Sequence, residues 1–275
     1  MKKIIISFTV LLLGLNAIAQ DSVLVNKHGS IILPQKGDIA VGLSADPILY
    51  YVGNMFNGNT NNSLNLGDQN LYFRYFLSDN EALRVSIRVN SSKYVYNYYV
   101  IDDAARAIDP LSRQQVEDRQ TSIDNNYGVR LGYQKFRGYK RLRGFYGADL
   151  GFSYYKTKYT REYGNQMNQL NPSPTTHWGN LSSRTLESND GATKSVSLGI
   201  FAGAEYYFMP KICVGAELGI QYGKMWESQG NLKGEEMNLT QLVKYDRAVT
   251  PGDRSNNLYT TFPYSYGSLY LMVHF

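Results

Sequence analysis

Eight stretches of the chain alternate apolar and polar residues one by one, and a period of two is the mark of a strand with one face in an apolar environment. The first runs from Gly37 to Ala45, with Ile39, Val41 and Leu43 against Ala40, Gly42 and Ser44, and Pro47 stops it. The second sets Leu71, Phe73, Tyr75 and Leu77 against Tyr72, Arg74 and Phe76, then ends in the polar turn Ser78-Asp79-Asn80-Glu81. The third is the cleanest: Leu83, Val85, Ile87 and Val89 alternate with Arg84, Ser86, Arg88 and Asn90. In the fourth, Tyr127, Val129, Leu131 and Tyr133 stand against Gly128, Arg130, Gly132 and Gln134. A basic turn, Arg137-Gly138-Tyr139-Lys140, leads to the fifth, where Tyr146, Ala148, Leu150, Phe152 and Tyr154 face away from Gly147, Asp149, Gly151, Ser153 and Tyr155.

The sixth and seventh form a hairpin about Met209-Pro210-Lys211. Its apolar face carries Val196, Leu198, Ile200, Ala202, Ala204 and Tyr206, then Ile212, Val214, Ala216, Leu218 and Ile220. Its other face carries Gly199, Gly203, Glu205, Gly215, Glu217 and Gly219. The eighth run ends the chain, with Leu269, Leu271, Val273 and Phe275 opposite Tyr266, Ser268, Tyr270, Met272 and His274. Each run has about the nine to eleven residues that a tilted strand needs to cross a bilayer. Links after runs two, four and six are short, and those after one, three, five and seven are long and polar. That asymmetry predicts an all-β fold: an eight-stranded antiparallel up-and-down transmembrane β-barrel with short periplasmic turns and long extracellular loops.

The content of the two faces sets this apart from a soluble sandwich, which would enclose its continuous apolar set. Here the second face is mostly Gly and Ser plus Arg74, Arg84, Arg88, Arg130, Asp149, Glu205 and Glu217, which fits a narrow lumen closed by ion pairs. Tyr75, Tyr133, Tyr146, Tyr206, Phe208 and Phe275 lie near strand ends on the apolar face, as an interfacial girdle or, alternatively, as ordinary core aromatics.

The start of the chain agrees with export. Lys2 and Lys3, the apolar run Ile4 to Leu15 and Ala17-Ile18-Ala19 have the three-part form of a secretory signal, so residues 1–19 are expected to be removed, leaving a periplasmic segment, 20–36, before the barrel of 37–275. Without the signal, 26 Lys and Arg stand against 23 acids, a balance without the long basic run that nucleic acid would require. Cys213 is the sole cysteine, and His28, His177 and His274 are far apart. Neither a disulfide nor a local zinc signature is expected, and no cofactor.

The residues Leu33-Pro34-Gln35-Lys36-Gly37-Asp38-Ile39, Glu205-Tyr206-Tyr207-Phe208-Met209-Pro210-Lys211-Ile212 and Gly215-Ala216-Glu217-Leu218-Gly219 resemble the OmpA/OmpX-like eight-stranded barrels, specifically the Bacteroidota-type outer membrane protein beta-barrel domain group. The resemblance spans about residues 30 to 275. It implies a multi-pass barrel of the bacterial outer membrane, with outer-membrane lipids and the barrel-insertion machinery as partners. Leu269, Leu271, Val273 and Phe275 resemble the insertion signal of such proteins. No soluble peptidoglycan-binding module follows the last strand, so no cell-wall tether is carried over.

Candidate chemistry is sparse. Asp102-Asp103 and His177 could meet at the outer mouth, in the manner of omptin-like proteases, though adjacent loop aspartates more often cap a turn. His28-Gly29-Ser30 has the His-x-Ser form of lipid A deacylases but precedes the first strand. Tyr50, Tyr51, Met55 and Phe56 make the first loop too apolar to lie free in water; they could pack on the barrel, close its mouth or meet a protein partner. The expected function is a non-enzymatic membrane anchor whose loops bind or serve structure. The competing classes are a small pore, a subunit of a transport or assembly complex, and a lipid-modifying or proteolytic enzyme.

Overall fold

The computed structural model describes residues 24–45, 70–138, 140–180, 182–249, 257–261 (backbone only) and 269–275. The signal at 1–19, Tyr50, Tyr51, Met55 and Phe56 lie outside these residues. The elements are β1 (Ile39–Ser44), β2 (Asn70–Ser78), β3 (Glu81–Ile101), α1 (Asp103–Ile108), β4 (Gln115–Arg137), β5 (Leu142–Glu162), β6 (Ser183–Met209), β7 (Ile212–Glu227), β8 (Gly230–Asn238), β9 (Gln241–Val249), β10 (Asn257–Thr261) and β11 (Leu269–His274).

Every strand pairing is antiparallel, and β1 to β7 pair in sequence order. β11 then pairs with both β7 and β1, so eight strands close a ring. The three further strands prolong this wall. β6 pairs with β7 through Thr193↔Glu227 and continues with β8 from Asn189↔Asn231, so β7 and β8 are one course broken at Ser228-Gln229. That break is stitched to β6: Ser228 N–H donates to Ala192 O at 2.9 Å, and Ala192 N–H donates to Ser228 Oγ at 2.7 Å. β9 returns along β8, and β10 and β11 descend along β7 to complete the eighth course.

The expected strand lengths need correction. Runs three to six are expected to hold about ten residues each, with long links after three and five, but β3, β4, β5 and β6 hold 21, 23, 21 and 27 residues. β3 and β4 stay in register from Glu81↔Lys135 to Ile101↔Gln115. At roughly 3.3 Å per residue and a tilt near 40°, β4 rises about 58 Å, twice the roughly 25 Å apolar band of such barrels. The upper strands have no face against hydrocarbon, so the alternation that reveals the lower ones disappears.

The lower wall turns its apolar side outward. Leu83, Leu131, Leu150, Leu198, Ile200 and Leu218 are exposed, Leu131 to 56%, whereas Arg74, Arg84, Arg130, Asp149, Glu205 and Glu217 point inward and are buried. In the lower wall the closed ring gives each strand a neighbour on both sides, and an outer band of Leu, Val and Ile replaces contact with water by contact with hydrocarbon. The protein is therefore a transmembrane β-barrel of the outer-membrane type. Tyr75, Tyr133, Tyr146, Tyr206 and Phe208 are exposed around the short-turn end, and Phe275 is the most exposed of the set at 73%. Leu271 lies on the same outer face. At the other boundary Tyr127 stacks on Tyr154 at 6.1 Å, beside outward-facing Phe152 and Tyr222.

The turn at Pro210-Lys211 places Pro first and a positive φ, 62° at Lys211, second, the order of a type II turn. Below it, residues 24–36 fold back on themselves through a Val25↔Ile31 bridge and meet the barrel floor: Ile32 is buried, and its carbonyl accepts from Lys211 N–H at 2.9 Å.

Candidate functional site

The lumen is filled in layers. Nearest the short turns, Phe76 stacks on Phe136 at 5.4 Å, Phe136 meets Phe145 at 6.1 Å, and Phe145 meets Phe201 at 6.3 Å. These rings correct the expected Gly, Ser and charge content of the inner face. Glycines make room for them: Phe145 pairs across the strands with Gly203, Phe201 with Gly147 and Tyr270 with Gly215. A Cβ at any of these three glycines would collide with the facing ring. His274, on the inner face, packs against Phe76 and Tyr207 at 5.5 Å each.

Arg74 crosses the barrel above the rings. It forms an ion pair with Glu205 and donates to Tyr270 Oη at 2.8 Å; Tyr270 Oη donates to Glu205 at 2.6 Å and Tyr207 Oη to the other carboxylate oxygen at 2.9 Å. The guanidinium lies 5.0 Å from the Tyr270 ring centre, close enough for a cation–π contribution. Arg74 and Arg84 are direct cross-strand neighbours, an arrangement that repels unless each cation has its own anion. Arg84 has two: it binds Glu217 through both nitrogens, at 2.5 and 3.0 Å, and Asp149 at 3.2 Å. Gly132 leaves the space in which Asp149 and the Arg84 stem pass each other.

Above this layer, Arg130 donates to Gln221 at 2.6 Å and lies 3.9 Å from Asp149. Six of the seven inner charges inferred from the sequence thus join one stack. The seventh, Arg88, lies one layer higher, on the wall of a small cavity of about 50 Å³ lined also by Asn70, Ser86, Arg130, Ser197 and Gln221. Sequence reading missed Arg143, which is buried under the rings with its guanidinium 4.6 Å from the Phe136 centre, donating to Asp79 O at 2.7 Å. Its position in a basic turn segment disguised it, although its spacing from Phe145 and Gly147 places it on the inner face.

The outer end carries a cap. Residues 163–180 pack on the inner face of the upper wall, where Tyr98, Asp118, Arg161 and Tyr163 point inward. The buried carboxylate of Asp118 accepts from Gly164 N–H at 2.9 Å and His177 N–H at 2.8 Å. The His177 ring stacks on Tyr98 at 3.6 Å, and Arg161 lies 4.5 Å from the Trp178 ring centre. Asn165 donates to Ile101 O and accepts from Asp103 N–H. Burial alone would raise the Asp103 carboxyl, but Thr175 N–H and the Asn171 amide donate to it and Arg106 lies near, so it sits below the ordinary Asp value. Burial holds the Tyr163 phenol above its ordinary value despite Arg161 and Arg184.

Asp102, Asp103 and His177 all serve this outer end as fasteners, each on its own partners: Asp103 on Asn171 and Thr175, His177 on Asp118 and Tyr98. Asp102 caps α1 by accepting from Ala104 and Ala105 N–H. At the opposite end, His28-Gly29-Ser30 is an exposed turn whose N–H groups at His28 and Ser30 donate to Asn26 Oδ1. Cys213 is buried inside the barrel. Among the described residues no group of three His, Cys, Asp or Glu side chains is placed to hold a metal ion.

No protein-family model matches the chain, and no curated protein matches its sequence. Solved structures similar to it include two outer-membrane proteins. A major outer membrane protein from Thermus thermophilus is 11% identical over 87% of this chain and 98% of that chain, with a TM-score of 0.38. The outer membrane protein OprG from Pseudomonas aeruginosa is 8% identical over 88% of this chain and 98% of that chain, with a TM-score of 0.30. Likenesses this distant add nothing to the argument from the barrel's own faces.

Proposed function

We propose that this protein is a non-enzymatic, non-conducting barrel of the bacterial outer membrane, anchoring a tall extracellular β-wall whose capped rim binds partners or serves structure. The observation that carries the reading is the filled lumen beneath a wall that continues far beyond the apolar band. A barrel of this size is closed by its own side chains, and here rings, ion pairs and a folded N-terminal segment occupy successive levels. Binding residues belong on the projecting rim, because that is where a rigid support presents loops to molecules arriving from outside. The cap's charged groups hold neighbouring backbone, which speaks against a proteolytic or lipid-modifying role for Asp102, Asp103 and His177.

Planar-bilayer recording and lipid A analysis of a deletion strain test the proposal together. The expected results are a flat baseline from the folded protein and an unchanged lipid A profile. A steady conductance, or a lipid A species that disappears with the gene, overturns it.

A further inference from the structure

Beyond the anchor role, we propose that an arc of lysines on the outside of the barrel binds the phosphate groups of anionic outer-leaflet lipids. Lys93 on β3, Lys156 and Lys158 on β5, Lys194 on β6 and Lys224 on β7 share the strand parity of the lipid-facing Leu83, Leu150, Leu198 and Leu218, so all five project outward. The pairing makes the arc continuous. Ile123 of β4 is the direct partner of both Lys93 and Lys158, Lys194 pairs with Trp226, and Lys224 pairs with Val196, two residues along from Lys194.

Depth selects the partner. Each of the five lies 12 to 16 residues along its strand from the short turn at its foot. At about 3.3 Å per residue and a tilt near 40°, that is roughly 30 to 40 Å above the periplasmic end, just outside a hydrocarbon layer about 30 Å thick. Independent markers agree. Tyr154 lies two residues below Lys156, and Tyr222 two below Lys224, and such rings mark the boundary between hydrocarbon and headgroups. A lysine there runs its methylene stem along the apolar wall and delivers its ammonium to the headgroup level. A compact, strongly hydrated ammonium suits phosphate as a point charge. Among the described residues, the acid that joins the arc is Glu187, 3.0 Å from Lys158. The other four cations supply the surplus charge that anionic headgroups neutralise.

The test uses the full barrel folded into vesicles of phosphatidylcholine mixed with phosphatidylglycerol, extracted gently and weighed by native mass spectrometry. The wild type is expected to retain phosphatidylglycerol several-fold over phosphatidylcholine. Lys93→Gln/Lys156→Gln/Lys194→Gln/Lys224→Gln should bring retention to parity, and the control Lys140→Gln/Lys244→Gln should match wild type. Absence of preference in the wild type, or preference that survives the fourfold change, overturns the proposal, as does displacement of the lipid by equimolar inorganic phosphate. Should the fourfold variant fail the heat-dependent gel shift of a folded barrel, Lys93→Gln/Lys224→Gln is expected to lose part of the preference, and full retention there is equally fatal. A barrel that inserts without preference sinks the lysine arc alone, whereas one that never inserts sinks the membrane reading.

Discussion

At the scale of single residues, the lumen trades one cost against another. Each buried ion is expensive to desolvate, and removing one member of a buried pair typically costs about 3 to 5 kcal/mol because the other is stranded. Arg84 serves two carboxylates, whereas Arg130 shares Asp149 with it at a longer distance. Arg84→Leu is therefore expected to destabilise by about 3 to 5 kcal/mol and Arg130→Leu by markedly less, read as urea-unfolding midpoints in lipid vesicles. Equal losses would mean that the stack is not organised around Arg84. On the outer face Leu131 lies at mid-band, and Leu131→Arg should cost roughly 2 to 4 kcal/mol by the same measurement. A neutral result would reverse the assigned faces. The charged members of the stack were legible in the sequence because an Arg or Glu inside a strict alternation has to point away from hydrocarbon. Phe76 was legible beside Arg74, but Phe136, Phe145 and Phe201 were hidden, because an aromatic residue is at home on either side of a narrow barrel; for Phe145 and Phe201 only the facing glycine betrays it.

At the scale of elements, alternation revealed the lower half of each strand and none of the upper half. Leu83 to Val89 can be read as a strand because one side meets lipid. Ser91 to Ile101 continues the same strand above the lipid, with water outside and the polar cap against Tyr98 and Ile101 inside, and its mixed polar and Tyr-rich sequence carries no hydrophobic period. The break at Ser228-Gln229 was invisible for the same reason. The cap, built from Asn165, Asp118 and His177 N–H, depends on long-range pairing that no local pattern encodes. Its pH response follows from Asp103. A carboxyl held below its ordinary value contributes stability above the unfolded value, near 3.9, and loses it as pH falls through the folded value. Below about pH 4 the amides of residues 163–180 should lose protection, judged against their intrinsic exchange rates at the same pH, while the β3–β4 ladder near Leu83 keeps it. Asp103→Asn is expected to show this loss of protection already at pH 7. Identical protection at both pH values would remove Asp103 from the cap's supports.

For the whole molecule, closure of the ring falls to β11. Leu269, Leu271, Val273 and Phe275 belong to the strand that closes the ring between β7 and β1, so nothing can be sealed until this segment has docked. Removing Phe275 is expected to slow insertion while leaving the stability of molecules that do fold nearly unchanged. Pulse-labelled cells scored for heat-resistant barrel would show this, and normal insertion kinetics would count against a role for the terminal ring.

The height of the wall has a steric outcome of its own. A collar that stands about as far above the lipids as the bilayer is thick acts as a fence post: large bodies approaching the cell touch its top before they reach the surface around it. Neighbouring membrane proteins with low crowns lie beneath that reach, so under the proposed anchor role contact with bodies arriving from outside falls to the rim.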